Sequence, residues 1–330
     1  MQRQMRRREF ITLLGGATAW PLAARAQQGN KVWRIGFLVM VSASSHAPRV
    51  EALRAGLREL GYVEGKNLVI EFRWADGHYD RLPALADELV RLNLDVILTH
   101  SLLGAIAVAK ATTTIPIVIT AASDIVGAGL VSSLSRPGGN VTGQTFFNPE
   151  LAAKRIELLK ETIPALIKVA VLLNANNPVG APILLNVMEP TAKALKVELL
   201  KFEARSASDL DRVFSAMNDQ QIGAVVLHED PLLNASAKPI ADLAARWRLP
   251  TCGFPEFAIA GGLMAYGVNF PDLDHRAAAF VDKILKGAKP ADLPIEQATR
   301  FRLIVNLKTA KAAGIEVPTS VLLRADEVIE

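Results

Sequence analysis

From residue 32 onward, short apolar runs alternate with longer stretches in which apolar residues recur at every third or fourth position. Residues 32–41 form an unbroken apolar run, the pattern of a strand covered on both faces. Residues 48–60 then set Val50, Leu53, Leu57 and Leu60 on one helical face and stop at Gly61, a C-cap signal. Strands at 68–74, 95–99, 116–120 and 140–145, with helices at 79–92 and 102–111, continue this first series. A second series of similar length follows, with helices at 149–162, 180–195, 207–217 and 232–247 and strands at 168–173, 197–202, 224–227 and 250–253. Strands alternating with helices of this length predict βαβ units and parallel sheets. The fold class is therefore α/β, with two similar lobes rather than one long sheet. In the last third, a strand at 263–268, a helix at 272–286, a loop at 287–298, a strand at 301–305 and a helix at 306–313 ending at Gly314 complete the pattern. The join at 144–149 is short and apolar and reads as a hinge crossover, with further crossovers expected near 254–262 and 287–299.

Ahead of this pattern lies a leader. Arg6, Arg7 and Arg8 open it, an apolar run over 11–22 follows, and Ala24-Arg25-Ala26 closes it. That is the layout of a secretory signal: basic region, short apolar region and small-x-small cleavage site. The paired arginines before Glu9, Phe10 and Ile11 look like a twin-arginine export signal. The apolar run holds Gly15, Gly16 and Pro21 and is too short to span a membrane core that needs ~20 residues. The expectation is a signal over 1–26, cleaved after Ala26, and a periplasmic mature chain. The leader also changes the charge balance. It carries five arginines and one glutamate, leaving 32 basic and 32 acidic residues beyond it, so the overall net charge of +4 gives no hint of nucleic acid. Cys252 is the one cysteine, which excludes an internal disulfide, and no cysteine near the cleavage site marks a lipid anchor. Cys252 itself reads as an inert core thiol.

Enzyme chemistry finds little support. Ser44-Ser45-His46 and His100-Ser101 place serine beside histidine, but no Gly-x-Ser-x-Gly elbow is present and adjacency does not make a triad. The histidines at 46, 78, 100, 228 and 275 have no metal-ligand spacing. Gly56–Gly61 has the outer spacing of a phosphate loop, but Tyr62 stands where lysine is required. No cofactor motif remains. Polar residues instead gather where predicted strands end, which is where open α/β sheets bind ligands. The first lobe supplies Ser42, Ser44 and Ser45, then Thr99, His100 and Ser101, then Ser123 and Asp124. The second supplies Asn174, Asn176 and Asn177, then His228, Glu229 and Asp230. Facing each other, these loops suit a zwitterion, with N–H and OH groups for a carboxylate and Asp or Glu for an ammonium. Ordinary capping is the competing explanation for Ser101 and Asp230, each of which precedes a helix, with Pro231 in the favoured first position.

Longer motifs add a resemblance. Gly56-Leu-Arg-Glu-Leu-Gly-Tyr-Val-Glu-Gly65, Leu134-Ser-Arg-Pro-Gly-Gly-Asn-Val-Thr-Gly143, Ala153-Lys-Arg-Ile-Glu-Leu-Leu-Lys160, Gly261-Gly-Leu-Met-Ala-Tyr-Gly267, Val281-Asp-Lys-Ile-Leu-Lys-Gly-Ala-Lys-Pro290, Asn306-Leu-Lys-Thr-Ala-Lys311 and Leu322-Leu-Arg-Ala-Asp-Glu327 run through the whole chain beyond the leader. Together they resemble the periplasmic substrate-binding proteins of ABC transporters of the tryptophan/tyrosine type. The resemblance implies two Rossmann-like lobes joined by a multi-strand hinge, the type I periplasmic-binding fold. On that pattern lobe 1 takes 31–145 plus 262–290, and lobe 2 takes 146–261 plus 291–330. It also implies a monomer that closes on a small ligand, no catalysis, and delivery to an inner-membrane permease driven by a separate ATPase. Asp124, Asp230-Pro231 and Tyr266-Gly267 match family positions, whereas Ile125 replaces a common proline, Asn269 a more usual aspartate, and 42–47 follows no family consensus. The expected ligand is an amino acid or related carboxylate. A sensory module of the same fold and an exported enzyme are the alternatives, and an export signal sits where a fused DNA-binding helix would be.

Overall fold

The computed structural model describes residues 31–146, 148–177 and 180–330; the expected leader lies outside the described residues. The first series runs β1 (Trp33–Val39), α1 (Ala43–Glu59), β2 (Leu68–Trp74), α2 (Leu82–Val90), β3 (Val96–Thr99), α3 (Leu102–Ala111), β4 (Ile117–Ser123) and β5 (Val141–Phe146). The second runs α4 (Asn148–Thr162), β6 (Lys168–Asn174), α5 (Gly180–Ala194), β7 (Glu198–Ala204), α6 (Leu210–Asp219), β8 (Ala224–Leu227), α7 (Pro231–Ala235), α8 (Ala237–Arg246), β9 (Thr251–Gly253), α9 (Pro255–Ile259) and β10 (Met264–Gly267). Then come α10 (Phe270–Leu285), β11 (Glu296–Gln297), β12 (Arg302–Asn306), α11 (Leu307–Ala313), α12 (Thr319–Leu322) and β13 (Glu327–Ile329).

These strands make two sheets, ordered β11-β5-β4-β3-β1-β2 and β13-β12-β10-β9-β8-β6-β7. Pairing is parallel throughout except between β10 and β12. Central strands such as β1 and β6 are apolar on both faces because helices cover both sides. One core packs around the first sheet, and two cores occupy the faces of the second.

Among the described residues the chain crosses between the sheets three times. Two crossings fall between β5 and α4 and at 297–302, near the expected joins. The other lies at 267–270 instead of 254–262, because β10 hydrogen-bonds to β9 and β12 and so belongs to the second sheet. Residues 262–290 are thus divided: β10 joins the second lobe, and α10 returns to pack along α1 on the first. Gly56 makes that approach possible, since a Cβ there would sit 2.3 Å from the His275 carbonyl oxygen. The expected loop at 287–298 contributes β11 to the first sheet, where it pairs with β5. Phe146, Leu151, Val268, Phe270 and Ala298 from all three crossings, with Phe301 against them, form one apolar cluster at the hinge.

Local signals shift two helix boundaries. α1 begins at Ala43 rather than 48, because the Ser42 hydroxyl accepts from the Ser45 N–H and caps it; Pro48 is carried inside at the loss of one backbone hydrogen bond. The helix expected over 232–247 breaks at Ser236 into α7 and α8.

Candidate functional site

Strand ends of both sheets converge on a cavity of about 50 Å³. Lobe 1 walls it with Arg49 from α1, His100 and Ser101 after β3, and Ser123 at the end of β4. Lobe 2 contributes Asn177, His228, Glu229 and Asn234, and the hinge contributes Phe146 and Phe270. The two phenyl rings meet edge to face at 5.5 Å. Arg49, His100 and Asn234 also line a neighbouring cavity of about 200 Å³.

Arg49 is the hub. Its side chain is 13% exposed, and its guanidinium lies 4.0 Å over the Phe270 ring and 3.8 Å from Glu256 Oε1. With the Asn234 amide turned to satisfy both neighbours, Asn234 Oδ1 accepts from Arg49 Nη2 at 3.0 Å and Nδ2 donates to the Asp230 carbonyl at 3.2 Å. The histidines around it are neutral. His46 and His100 stack at 4.4 Å. Burial, helped by the Arg49 charge, pushes His100 down to about 3. Burial, then His100 and Arg49, lowers His46. His100 Nε2 accepts from the Met40 N–H at 3.3 Å, so its proton sits on Nδ1. Burial lowers His228 too, against the opposing pull of Asp230. The positive charge at the cleft is therefore a guanidinium.

The floor on the lobe 2 side is an ion pair. Arg155, wholly buried in α4, donates from Nη2 to Glu229 Oε1 at 2.7 Å, from Nη1 to the Leu227 carbonyl at 2.8 Å and from Nε to the Tyr266 carbonyl at 2.9 Å. Burial raises the Glu229 carboxyl above its ordinary range, with Arg155 opposing. Gly267 is required beside the pair, because a Cβ there would stand 2.7 Å from Glu229 Oε1.

His100, Ser101, Ser123 and Glu229 of the expected residues thus line the first cavity, and Ser45 lines the second. Ser101 also caps α3 through a bond from the Gly104 N–H, at a backbone φ of 65°. The others are engaged elsewhere. Ser44 is exposed on the first turn of α1 and bonds to Ser42 at 3.1 Å. Thr99 is fully buried and donates to the Leu38 carbonyl, tying β3 to β1. Asp124 accepts from the Gly127 N–H within its own turn. Asn176 donates to the Arg205 carbonyl, away from this cavity. Tyr266 packs against Phe301 at the hinge. Asp230 caps α7 and is fully buried: Oδ1 accepts from Tyr79 Oη at 3.1 Å, Asn174 Nδ2 at 2.9 Å and the Leu232 N–H at 2.9 Å, and Oδ2 from Asn177 Nδ2 at 3.0 Å. Tyr79 belongs to lobe 1, so this network bridges the cleft.

Arg49, Asn234, Phe146 and Phe270 are absent from the sequence-based expectation. Arg49 is one helical turn beyond Ser45, so an earlier start for α1 is the signal that reaches it. Among the described residues no group of His, Cys, Asp and Glu is placed to hold a metal ion, and no helix is long and apolar enough to cross a membrane.

A model of the ABC transporter substrate binding protein family matches residues 34–329, nearly the whole described chain. The chain belongs to that family. A tyrosine-binding protein of Clostridioides difficile is 27% identical over 288 residues, covering 87% of this chain and 82% of the relative. An ABC domain from Streptococcus pneumonia, solved in complex with L-Trp, is 26% identical, covers 91% of this chain and 100% of its own, and superposes with a TM-score of 0.82. The ligand-free, open structure of a substrate-binding protein from Clostridium difficile is 25% identical, covers 90% and 99%, and reaches 0.63. At nearly equal identity, this substrate-binding protein follows the L-Trp complex more closely than the open form. The Tyr79–Asp230 and Arg49–Asn234 hydrogen bonds link the two lobes across the cleft.

Proposed function

We propose that this protein is an exported receptor that captures an amino acid, tryptophan or tyrosine first among them, and delivers it to an ABC permease driven by a separate ATPase. The observation that carries the reading is Arg49, a guanidinium sunk between the lobes and stacked on Phe270. A guanidinium in that position binds a carboxylate through paired N–H donors. The hydroxyls of Ser101 and Ser123, with the first N–H groups of α3, offer the same carboxylate further donors. Phe146 and Phe270 offer an apolar wall for a side chain. Cavities of about 50 and 200 Å³ favour an amino-acid-sized ligand, being smaller than the ~300 Å³ lower limit of drug-sized pockets. The names of the relatives, one tyrosine-binding and one holding L-Trp, point the same way. In this reading Ala26 is the last residue of a twin-arginine signal, and the mature protein acts as a periplasmic monomer that binds without catalysis.

Calorimetry with L-tryptophan, L-tyrosine and the corresponding amines that lack a carboxylate tests the carboxylate role. The amino acids should bind, tryptamine and tyramine should not, and Arg49→Gln should weaken amino-acid binding by about 10- to 100-fold, the range for a charge-assisted contact. Equal binding of tryptamine and tryptophan, or unchanged affinity in Arg49→Gln, would falsify the reading.

A further inference from the structure

The acids around the cleft differ in what already holds them. Asp230 accepts four hydrogen bonds from protein donors. Glu229 is ion-paired with Arg155 at 2.7 Å. Asp124 closes its own turn. Glu256, the second residue of α9, stands apart. Its side chain is 35% exposed, yet both carboxylate oxygens are buried, and among the described residues neither accepts a hydrogen bond. Arg49 Nη2 is 3.8 Å away, beyond hydrogen-bond reach. The Glu256 side chain lines the cavity of about 200 Å³ beside Arg49.

His46 lines the same cavity from α1. It is 2% exposed, and its Nε2 has no hydrogen-bond partner among the described residues. Buried polar atoms in folded proteins are nearly always partnered, so two such groups on one cavity mark a place built to receive something. Both can act as acceptors: a carboxylate with two oxygens, and an imidazole nitrogen that accepts in the tautomer protonated at Nδ1. Their complement is a compact cation with several N–H donors. Arg49 and Asn234 form a wall common to both cavities. A ligand whose carboxylate meets Arg49 from the first cavity therefore has the second cavity beside it.

We propose that the cavity lined by Glu256 and His46 is the receptor's ammonium subsite, with Glu256 as counter-ion and His46 accepting a second N–H. This rests on the amino-acid reading above and deepens it: the site selects primary α-amino acids over the same carboxylic acids without the amine. It also reassigns the role expected of Asp124, Glu229 and Asp230 to an acid whose charge no protein donor hydrogen-bonds.

Dissociation constants for L-tryptophan and 3-(indol-3-yl)propionate, measured on the purified protein and its Glu256→Gln and Glu256→Asp variants, test the assignment. The native protein should prefer tryptophan by about 10- to 100-fold, as expected for one charged hydrogen bond. Glu256→Gln should bring the two ligands to within about threefold by weakening tryptophan alone, and Glu256→Asp, which keeps the charge on a shorter arm, should restore part of the preference. Melting curves confirm that each variant is folded. Preference retained in Glu256→Gln, or equal binding of both ligands by the native protein, overturns the subsite and leaves the carboxylate role of Arg49 standing. Failure of the native protein to bind either ligand overturns both.

Discussion

Replacing Arg155 with methionine would remove the cation from the buried pair beneath the cleft while keeping an unbranched chain of similar length. In the native protein this arginine is wholly buried and holds Glu229 at 2.7 Å and the carbonyls of Leu227 and Tyr266 at 2.8 and 2.9 Å. The carboxylate of Glu229 would then be buried without its cation, and breaking a buried pair in this way costs about 3–5 kcal/mol. That is a large share of the ~5–15 kcal/mol that holds a typical domain together. At a urea dependence of ~2.5 kcal/mol per molar, the unfolding midpoint of the second lobe should fall by about 1.5 M, read from Trp247 fluorescence. The pH dependence identifies the cause. Burial already raises Glu229, and removing the opposing Arg155 charge raises it further. An acid with a raised folded-state pKa is least stabilising above that pKa, and stability returns as pH falls toward the unfolded value of ~4.3. Arg155→Met should therefore be most destabilised at pH 7.5 and recover on acidification, whereas Arg155→Met/Glu229→Gln should be about 2 kcal/mol more stable at pH 7.5 and converge with the single variant near pH 4, once the unfolded-state carboxyl is protonated too. If the double variant is no more stable at pH 7.5, or the gap between the two does not depend on pH, the destabilisation comes from lost packing and carbonyl bonds instead.

Two further outcomes follow from the same reasoning. Asp274 is fully buried in α10 and raised to about 6 by burial, against the opposing charge of Arg49; Asp274→Asn should stabilise the protein by up to ~3 kcal/mol at pH 7, with the gain shrinking to nothing near pH 4, as measured by urea titrations at several pH values. Tyr79→Phe removes the bond to Asp230 across the cleft, so amino-acid dissociation should quicken about tenfold, whereas Tyr62→Phe, which removes the Tyr62–Asp282 bond of 2.9 Å within lobe 1, should lower the melting temperature and leave dissociation unchanged. Stopped-flow fluorescence compares the two, and equal rates would show that the cross-cleft bond does not hold the lobes together.

Short-range order was legible in the amino-acid sequence. The alternation of strand and helix, the apolar runs of covered strands, the cap at Ser101, the Asp230-Pro231 helix start and the stop at Gly314 each depend on residues within a few positions of one another. Such signals survive in a linear reading because backbone hydrogen bonds of caps and turns span three or four residues. They were enough to expect two α/β lobes, a short hinge near 144–149 and polar strand ends at a cleft. The tertiary structure decided what those polar ends do. Asp230 looks free in the chain, but Asn174 lies 56 residues away and Tyr79 151, and their donors occupy its carboxylate. Arg49 reads as one more basic residue on an amphipathic helix until α10 brings Phe270 beneath it and lobe 2 brings Asn234 and Glu256 beside it. The placement of β10 likewise turned on which strand edges were available, β9 and β12, a choice made by pairing partners distant in sequence. Local propensity sets the elements; the burial and pairing of charges is settled only when segments more than a hundred residues apart close on one another.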